Sequence, residues 1–204
     1  MIKSIIFDLG GVYFTDGKKI VVEKISKKYN LEPKSVDNIF KVGSELGMSY
    51  RRGEITCEEF WNQTKKLLDI TADNDDLNRL WMESYEPIEG TVEIIKQLKK
   101  KGIKLYVLSD TVKERAEYLQ ETFNFSENFI DGIYSYKVHK TKLDGSEAFK
   151  LALKLTGESP ENVVYVDDKE EYAETAKKLG MNAIHFKNPE QLNEELKNLR
   201  VFEE

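Results

Sequence analysis

The chain has 204 residues, with 31 Lys and Arg against 37 Asp and Glu, a formal net charge of −6, and 40% hydrophobic and 33% charged residues; this suits one ordinary domain, or one domain with a small insert, and excludes wholesale disorder. No aliphatic or aromatic run exceeds about four residues, as at 105–108, whereas a membrane-spanning helix needs roughly 20. The single cysteine, Cys57, excludes an intrachain disulfide and a cysteine-based zinc site, and the acidic balance counts against a general binder of nucleic-acid backbones.

Along the chain, Met1-Ile2-Lys3-Ser4 leads into an apolar segment with no signal-peptide pattern, so a cytoplasmic protein is expected. Residues 4–7 are short, apolar and β-prone, and they break at Asp8-Leu9-Gly10-Gly11, which reads as a buried strand entering a glycine turn. From about residue 18 to 85 the pattern is helical throughout, with helices expected at 19–29, 35–46, 56–68 and 75–85. Thr56-Cys57-Glu58-Glu59 has the form of a capping box at the third of these. Trp61 and Trp81 read as core residues of this helical block, and Cys57 as a buried or half-buried bystander. Beyond the Glu86-Pro87 loop, helices at 90–101, 112–123, 148–155 and 171–179 alternate with strands at 103–108, 132–135, 162–166 and 182–186. Gly102, Gly157 and Gly180 follow three of those helices, the usual left-handed stop. Strands alternating with helices predict an α/β fold with a parallel, Rossmann-like sheet covered on both faces. The helical block interrupts it, giving a core of residues 1–15 and 87–204 and an inserted all-helical cap of residues 16–86.

In such sheets ligands bind beyond the carboxyl ends of the strands. Asp8 follows the first strand, and Ser109, Asp110 and Thr111 follow the second. Lys137, Lys140 and Lys142 follow the third, and Asp167 and Asp168 end the fourth. Paired carboxylates suit a hard cation with oxygen ligands, above all Mg²⁺. A hydroxyl before a helix start and a lysine suit a phosphate, and together these groups describe phosphoryl transfer. His139 and His185 form no pair and are not expected to bind metal.

These residues resemble the motifs of the haloacid dehalogenase superfamily, in its phosphatase branch. Ile5-Ile6-Phe7-Asp8-Leu9-Gly10-Gly11-Val12 resembles the strand that ends in the nucleophilic aspartate. Ser109 after 105–108 resembles the second motif, Lys142-Leu143-Asp144 the third, and Val166-Asp167-Asp168 with Leu179-Gly180-Met181 behind it the fourth. Arg52-Gly53-Glu54-Ile55-Thr56, followed by Glu59-Phe60-Trp61, is similar to the helical cap of small sugar phosphatases and of the amino-terminal domain of soluble epoxide hydrolases. The likeness covers nearly the whole chain. It implies that Asp8 attacks phosphorus to form an aspartyl-phosphate. Mg²⁺ would sit on Asp8, Asp167, Asp168 and the carbonyl of Gly10, and Ser109, Asp110 and Lys142 would bind the substrate. It implies a small phosphorylated metabolite as partner, no nucleic acid or membrane, and a monomer or homodimer.

The sequence departs from that pattern in four places. Gly10 stands where most of these phosphatases carry the aspartate that protonates the leaving group, a service worth on the order of 10² to 10⁴ in rate. Asp16, Asp110 or a cap residue is a candidate substitute. Leu143 replaces the usual proline, and an extra residue lies before Phe149, which makes Lys140 a competitor of Lys142. Tyr172 occupies a position where an acid or amide is common. Two other functions compete: a metal-independent 2-haloacid dehalogenase, which would need no pair like Asp167-Asp168, and a non-catalytic phosphate-binding or regulatory protein, suggested by Gly10.

Overall fold

The computed structural model describes residues 1–41 and 43–202. Five parallel strands, β1 (Ser4–Phe7), β2 (Lys104–Ser109), β3 (Asp131–Tyr134), β4 (Val163–Asp167) and β5 (Asn182–His185), lie in the order β3-β2-β1-β4-β5. β1 is central because its side chains are apolar on both sides. Ile5 and Phe7 face one core cluster, with Leu105, Val107, Val164 and Val166. Ile6 faces the other, with Tyr106, Leu108, Val163 and Tyr165, as the two-residue period of a strand requires. Ser4 pairs with both Lys104 and Val163, so the ends of β1, β2 and β4 fall side by side.

Helices cover both faces. α6 (Glu89–Lys100), α7 (Lys113–Phe123) and α11 (Pro189–Asn198) give Ile94, Ile95, Leu98, Leu119, Leu192 and Leu196 to the first cluster. α9 (Glu147–Thr156) and α10 (Glu170–Lys178) give Phe149, Ala152, Tyr172 and Ala176 to the second. A four-residue helix, α8 (Ser135–Val138), follows β3 directly. The sequence reading omitted α11, although its signals are present: Asn188 caps it by accepting from the Gln191 N–H, and Pro189 occupies the first turn.

The segment between β1 and α6 is helical, as expected. It comprises α1 (Gly17–Tyr29), α2 (Pro33–Phe40), α3 (Glu45–Arg51), α4 (Cys57–Leu68) and α5 (Asn74–Met82). One expectation fails: residues 35–46 are not one helix. Gly43 adopts φ +86°, and the Ser44 hydroxyl accepts from the Gly47 N–H to start α3 afresh. The interior of the block is aromatic. Trp81 lies 5.0 Å from Phe40, 5.6 Å from Phe60 and 6.0 Å from Trp61 between ring centroids, and both tryptophans are fully buried. Cys57 is half-buried. The chain leaves and re-enters the sheet domain through two paired segments. The Thr15 N–H donates to the Glu86 carbonyl at 2.9 Å, and the Ile88 N–H donates to the Tyr13 carbonyl at 2.8 Å. Among the described residues, no helix is long and apolar enough to cross a membrane.

The capping box at α4 is complete: the Thr56 hydroxyl accepts from the Glu59 N–H, and the Glu59 carboxylate accepts from the Thr56 N–H. Replacing Thr56 with Ala removes the first of these bonds. A loss of about 1 kcal/mol in urea-unfolding free energy is expected, with turnover unaffected because Thr56 stands apart from the cavity described next.

Candidate active site

The sheet presents three neighbouring strand ends to one cavity. Asp8 follows β1 directly, and its own N–H continues the β1–β4 ladder by donating to the Val166 carbonyl at 2.9 Å. The carboxylate is turned back on its own chain, where Oδ1 accepts from the Leu9 N–H at 2.8 Å. The next residues wind tightly, with the Tyr13 and Phe14 N–H groups both donating to the Leu9 carbonyl. Gly11 has φ +82°, and a Cβ there would lie 2.7 Å from the Asp168 carboxyl carbon. Glycine is therefore required twice, by the backbone and by the approach of Asp168. Gly10 differs: it has no positive φ, and a Cβ on it would meet nothing within 4 Å.

At the end of β4, the two consecutive aspartates have different partners. Asp167 is 0% exposed. Its Oδ2 accepts from Lys142 Nζ at 2.7 Å and from the Tyr165 hydroxyl, and its Oδ1 accepts from the Lys169 N–H at 2.8 Å. Asp168 instead lines the cavity with Asp8 and Gly10, and its Oδ2 pairs with the ammonium of Lys169. Carboxylate oxygens of Asp8, Asp167 and Asp168 lie within 4.8 Å of one another.

Lys142 enters from a single 3₁₀ turn, Lys142–Asp144. Its Nζ stands 3.0 Å from Asp8 Oδ2 and 2.7 Å from Asp167 Oδ2, and 4.9 Å from the centre of the Tyr172 ring. Tyr172 thus supplies an aromatic face to the ammonium where a further acid was looked for. The other lysines lie elsewhere: the Lys140 side chain is 47% exposed and pairs with Glu147 at 3.6 Å, and Lys137 stacks on Tyr134 and Tyr136. The turn itself is held twice. Both oxygens of Asp110 accept from the Lys142 backbone N–H, at 3.0 and 3.1 Å. Asp144 Oδ2 accepts from the Thr141 N–H and hydroxyl at 2.8 and 2.9 Å, while Arg52 of the helical block grips the same carboxylate with Nε, at 2.9 Å, and Nη2. The Arg52 hydrogen bonds hold the Asp144 carboxyl well below the ordinary range. Ser109, the last residue of β2, is buried in the cavity wall. Asp16 caps α1 by accepting from the Lys18 N–H at 3.2 Å, and it reaches the same cavity.

The electrostatics follow from three carboxylates around one buried ammonium. Burial raises the Asp8 carboxyl to about 7; Lys142 opposes the shift, and Asp167 and Asp168 add to it. Burial works to lower the Lys142 ammonium, but Asp167 and Asp8 outweigh it and hold the pKa well above its ordinary value. Burial also raises Asp168, against Lys169. The clustered carboxylate oxygens of Asp8, Asp167 and Asp168 fit a hard divalent cation. The cavity, about 160 Å³, is also lined by Met48, Arg51 and Tyr85 from the helical segment and by Arg115 from α7. None of these four was singled out from the sequence. The available signal was Arg51, a charged residue on the buried face of α3 with Gly47 and Met48.

The model of the haloacid dehalogenase-like hydrolases matches residues 2–180. Over 185 residues the chain is 24% identical to the sesquiterpene phosphatase AstK of Aspergillus oryzae, covering 90% of this chain and 89% of that one. A HAD family enzyme from Bacteroides thetaiotaomicron, solved with magnesium and inorganic phosphate, superposes with a TM-score of 0.75 at 19% identity, over 92% of this chain and 96% of the other. The L-2-haloacid dehalogenase of Xanthobacter autotrophicus, with chloropropionic acid covalently bound, has a TM-score of 0.66 at 18% identity, over 98% and 84%.

The two glycines after Asp8 should respond differently to a methyl group. Gly11→Ala is expected to lose about 1–2 kcal/mol of urea-unfolding free energy from its left-handed backbone alone, with the Asp168 carboxylate forced to shift. Gly10→Ala, whose methyl meets empty space, should change the unfolding free energy by less than about 0.5 kcal/mol.

Proposed function

Since the chain belongs to the haloacid dehalogenase-like hydrolases, we propose that it is a Mg²⁺-dependent phosphatase of small phosphate monoesters, working through an aspartyl-phosphate at Asp8. The observation that carries this reading is the meeting of Asp8, Asp168 and Lys142 at adjacent strand ends around one cavity. An oxygen of the Asp8 carboxylate forms a bond to phosphorus while the bond from phosphorus to the alcohol oxygen breaks, and the departing oxygen takes up a proton. Water then attacks phosphorus, the bond to Asp8 breaks, and inorganic phosphate leaves. Lys142 Nζ is placed to hold a phosphoryl oxygen as it approaches Asp8, and the Ser109 hydroxyl to donate to another.

Asp8, Asp168 and the Gly10 carbonyl would hold the metal, which supplies positive charge to the phosphoryl oxygens. We assign Asp167 a positioning role in place of the ligand role that the family likeness implied: both its oxygens already accept from Lys142, Tyr165 and the Lys169 N–H, and it stands behind the cavity wall. Asp110 likewise belongs to the support of Lys142. A metal-independent dehalogenase would need no such carboxylate cluster. Residues 16–86 form the cap of this scheme over a core of 1–15 and 87–204, excluding water and limiting substrate size. The partner is a small phosphorylated metabolite, and the location cytoplasmic, in keeping with a single free thiol.

Asp8→Asn should abolish hydrolysis of p-nitrophenyl phosphate with the fold intact by circular dichroism, since an amide cannot form the acyl-phosphate; Lys140→Met should retain full rates. Activity above a few per cent in Asp8→Asn would refute the nucleophile assignment.

A second expectation concerns the missing side chain at position 10. Without a carboxyl there, kcat/KM should fall steeply as the leaving-group pKa rises across a series of esters. Gly10→Asp, whose Cβ has open space, should flatten that slope and raise turnover of alkyl phosphates, by up to about 10². A flat slope in the unmodified protein would mean that Asp16 or another cavity residue already supplies the proton.

A further inference from the structure

Two arginines face the cavity without a counter-ion. Arg51 on α3 is 9% exposed and Arg115 on α7 is 8% exposed, and both line the cavity that holds Asp8. Arg51 donates from Nη1 to the Gly47 carbonyl at 3.0 Å and from Nη2 to the Phe40 carbonyl at 3.1 Å. Arg115 donates from Nε to the Thr111 hydroxyl at 2.8 Å, from Nη1 to the Tyr85 hydroxyl at 2.6 Å and from Nη2 to the Asp110 carbonyl at 2.8 Å. Every one of these acceptors is neutral. Among the described residues no carboxylate lies within 4.0 Å of either guanidinium. The contrast with their neighbours is sharp: Lys142 has Asp8 and Asp167, and Arg52 has Asp144.

A guanidinium cannot shed its proton to escape burial, so these are two permanent charges in a low-dielectric wall. Each repels the other: burial first, then Arg115, lowers the pKa of Arg51. Asp110, the carboxylate whose charge bears on Arg51, has both oxygens turned to the Lys142 N–H. The neutral bonds explain why a donor stands at each position, and the Tyr85 and Trp81 rings, with centres 4.9 and 5.6 Å from the Arg115 guanidinium carbon, soften its charge; an amide in place of Arg51 would satisfy the two carbonyls without bringing charge into the cavity. A guanidinium also has five N–H groups, of which the bonds above occupy two in Arg51 and three in Arg115. What the arginines add is a fork of free donors and a positive charge, the combination that recognises oxyanions.

We propose that Arg51 and Arg115 form a second anion subsite, which selects phosphate monoesters carrying a further oxyanion, a carboxylate or a second phosphate, at the end remote from the reacting phosphoryl group. This deepens the phosphatase reading and rests on it for the identity of the reacting end. The two charges come from different parts of the chain, α3 of the helical block and the first turn of α7, so the second anion would bridge block and core. The cavity volume, about 160 Å³, is close to that of the ~150 Å³ engineered cavity that admits one benzene. It leaves room for only a few carbons between the two anions.

The test compares 2-phosphoglycolate and propane-1,3-diol bisphosphate with ethyl phosphate and p-nitrophenyl phosphate in the full chain with Mg²⁺. At least one of the doubly anionic esters is expected to exceed ethyl phosphate in kcat/KM by tenfold or more, and the better of the two identifies the second anion as carboxylate or phosphate. In Arg51→Gln and Arg115→Gln the loss on that ester should exceed the loss on ethyl phosphate at least tenfold, carried by KM, and Arg51→Lys should recover part of it. Equal losses on all esters, or no preference in the unmodified protein, would overturn the subsite. If a glutamine variant fails to fold, the Lys variants and the unmodified preference decide. If no ester turns over, the phosphatase reading fails separately. Calorimetric binding of 2-phosphoglycolate and of the bisphosphate, each against ethyl phosphate, then decides the subsite: tighter binding of either that Arg51→Lys weakens keeps it, and equal binding of all three ends it.

Discussion

One ammonium group organises this site. Lys142 Nζ, buried and within 3.0 Å of both Asp8 and Asp167, lets two carboxylates share an interior at the ends of β1 and β4. Removing one member of such a cluster leaves the others uncompensated, which is why a buried ion group fixes geometry more strongly than it adds stability. The sequence around the lysine is spent on holding it. Asp110 takes its backbone N–H, Asp144 closes its turn, and Tyr172 lies under its charge. Lys140, exposed and paired only with Glu147, has none of this support, and that difference in surroundings separates it from Lys142.

The parallel sheet turns this local arrangement into a site. Because Ser4 is in register with Lys104 and Val163, the chain leaves three strands at one level, and Asp8, Ser109 and Asp168 arrive together. The alternation of side chains along β4 then divides the labour between neighbours. Tyr165 and Asp167 share a side, so the tyrosine hydroxyl reaches the buried carboxylate, while Asp168 is thrown to the cavity. The glycine at position 11 keeps that place open for it.

Much of this was legible beforehand, for identifiable reasons. β1, β2 and β4 are short apolar runs that end at the polar Asp8, Ser109 and Asp167, whereas β3 and β5 carry polar residues of their own and are marked by their places between helices. What escaped depends on facing. Helical periodicity over residues 35–46 hid the break that Gly43 and Ser44 make, because apolar spacing continued across it. The final helix was overlooked although Asn188 and Pro189 announce it. Asp167 and Asp168 could not be told apart, since their roles differ only by which side of β4 each occupies. Arg51 and Arg115 carried no motif at all: what sets them apart is burial at the cavity and bonding to neutral acceptors, and both are properties of the assembled walls.

Asp144 belongs to two structures at once. Its carboxylate closes the turn that carries Lys142 and is also where Arg52 fastens the helical block to the sheet domain, a grip seconded by His139, whose Nδ1 lies 2.7 Å from the Arg52 carbonyl. Any separation of block from core would break the Arg52 pair, while Asp144 could keep its own bonds to the Thr141 N–H and hydroxyl. The turn that carries Lys142 is thus held from both sides of the junction only while block and core are together.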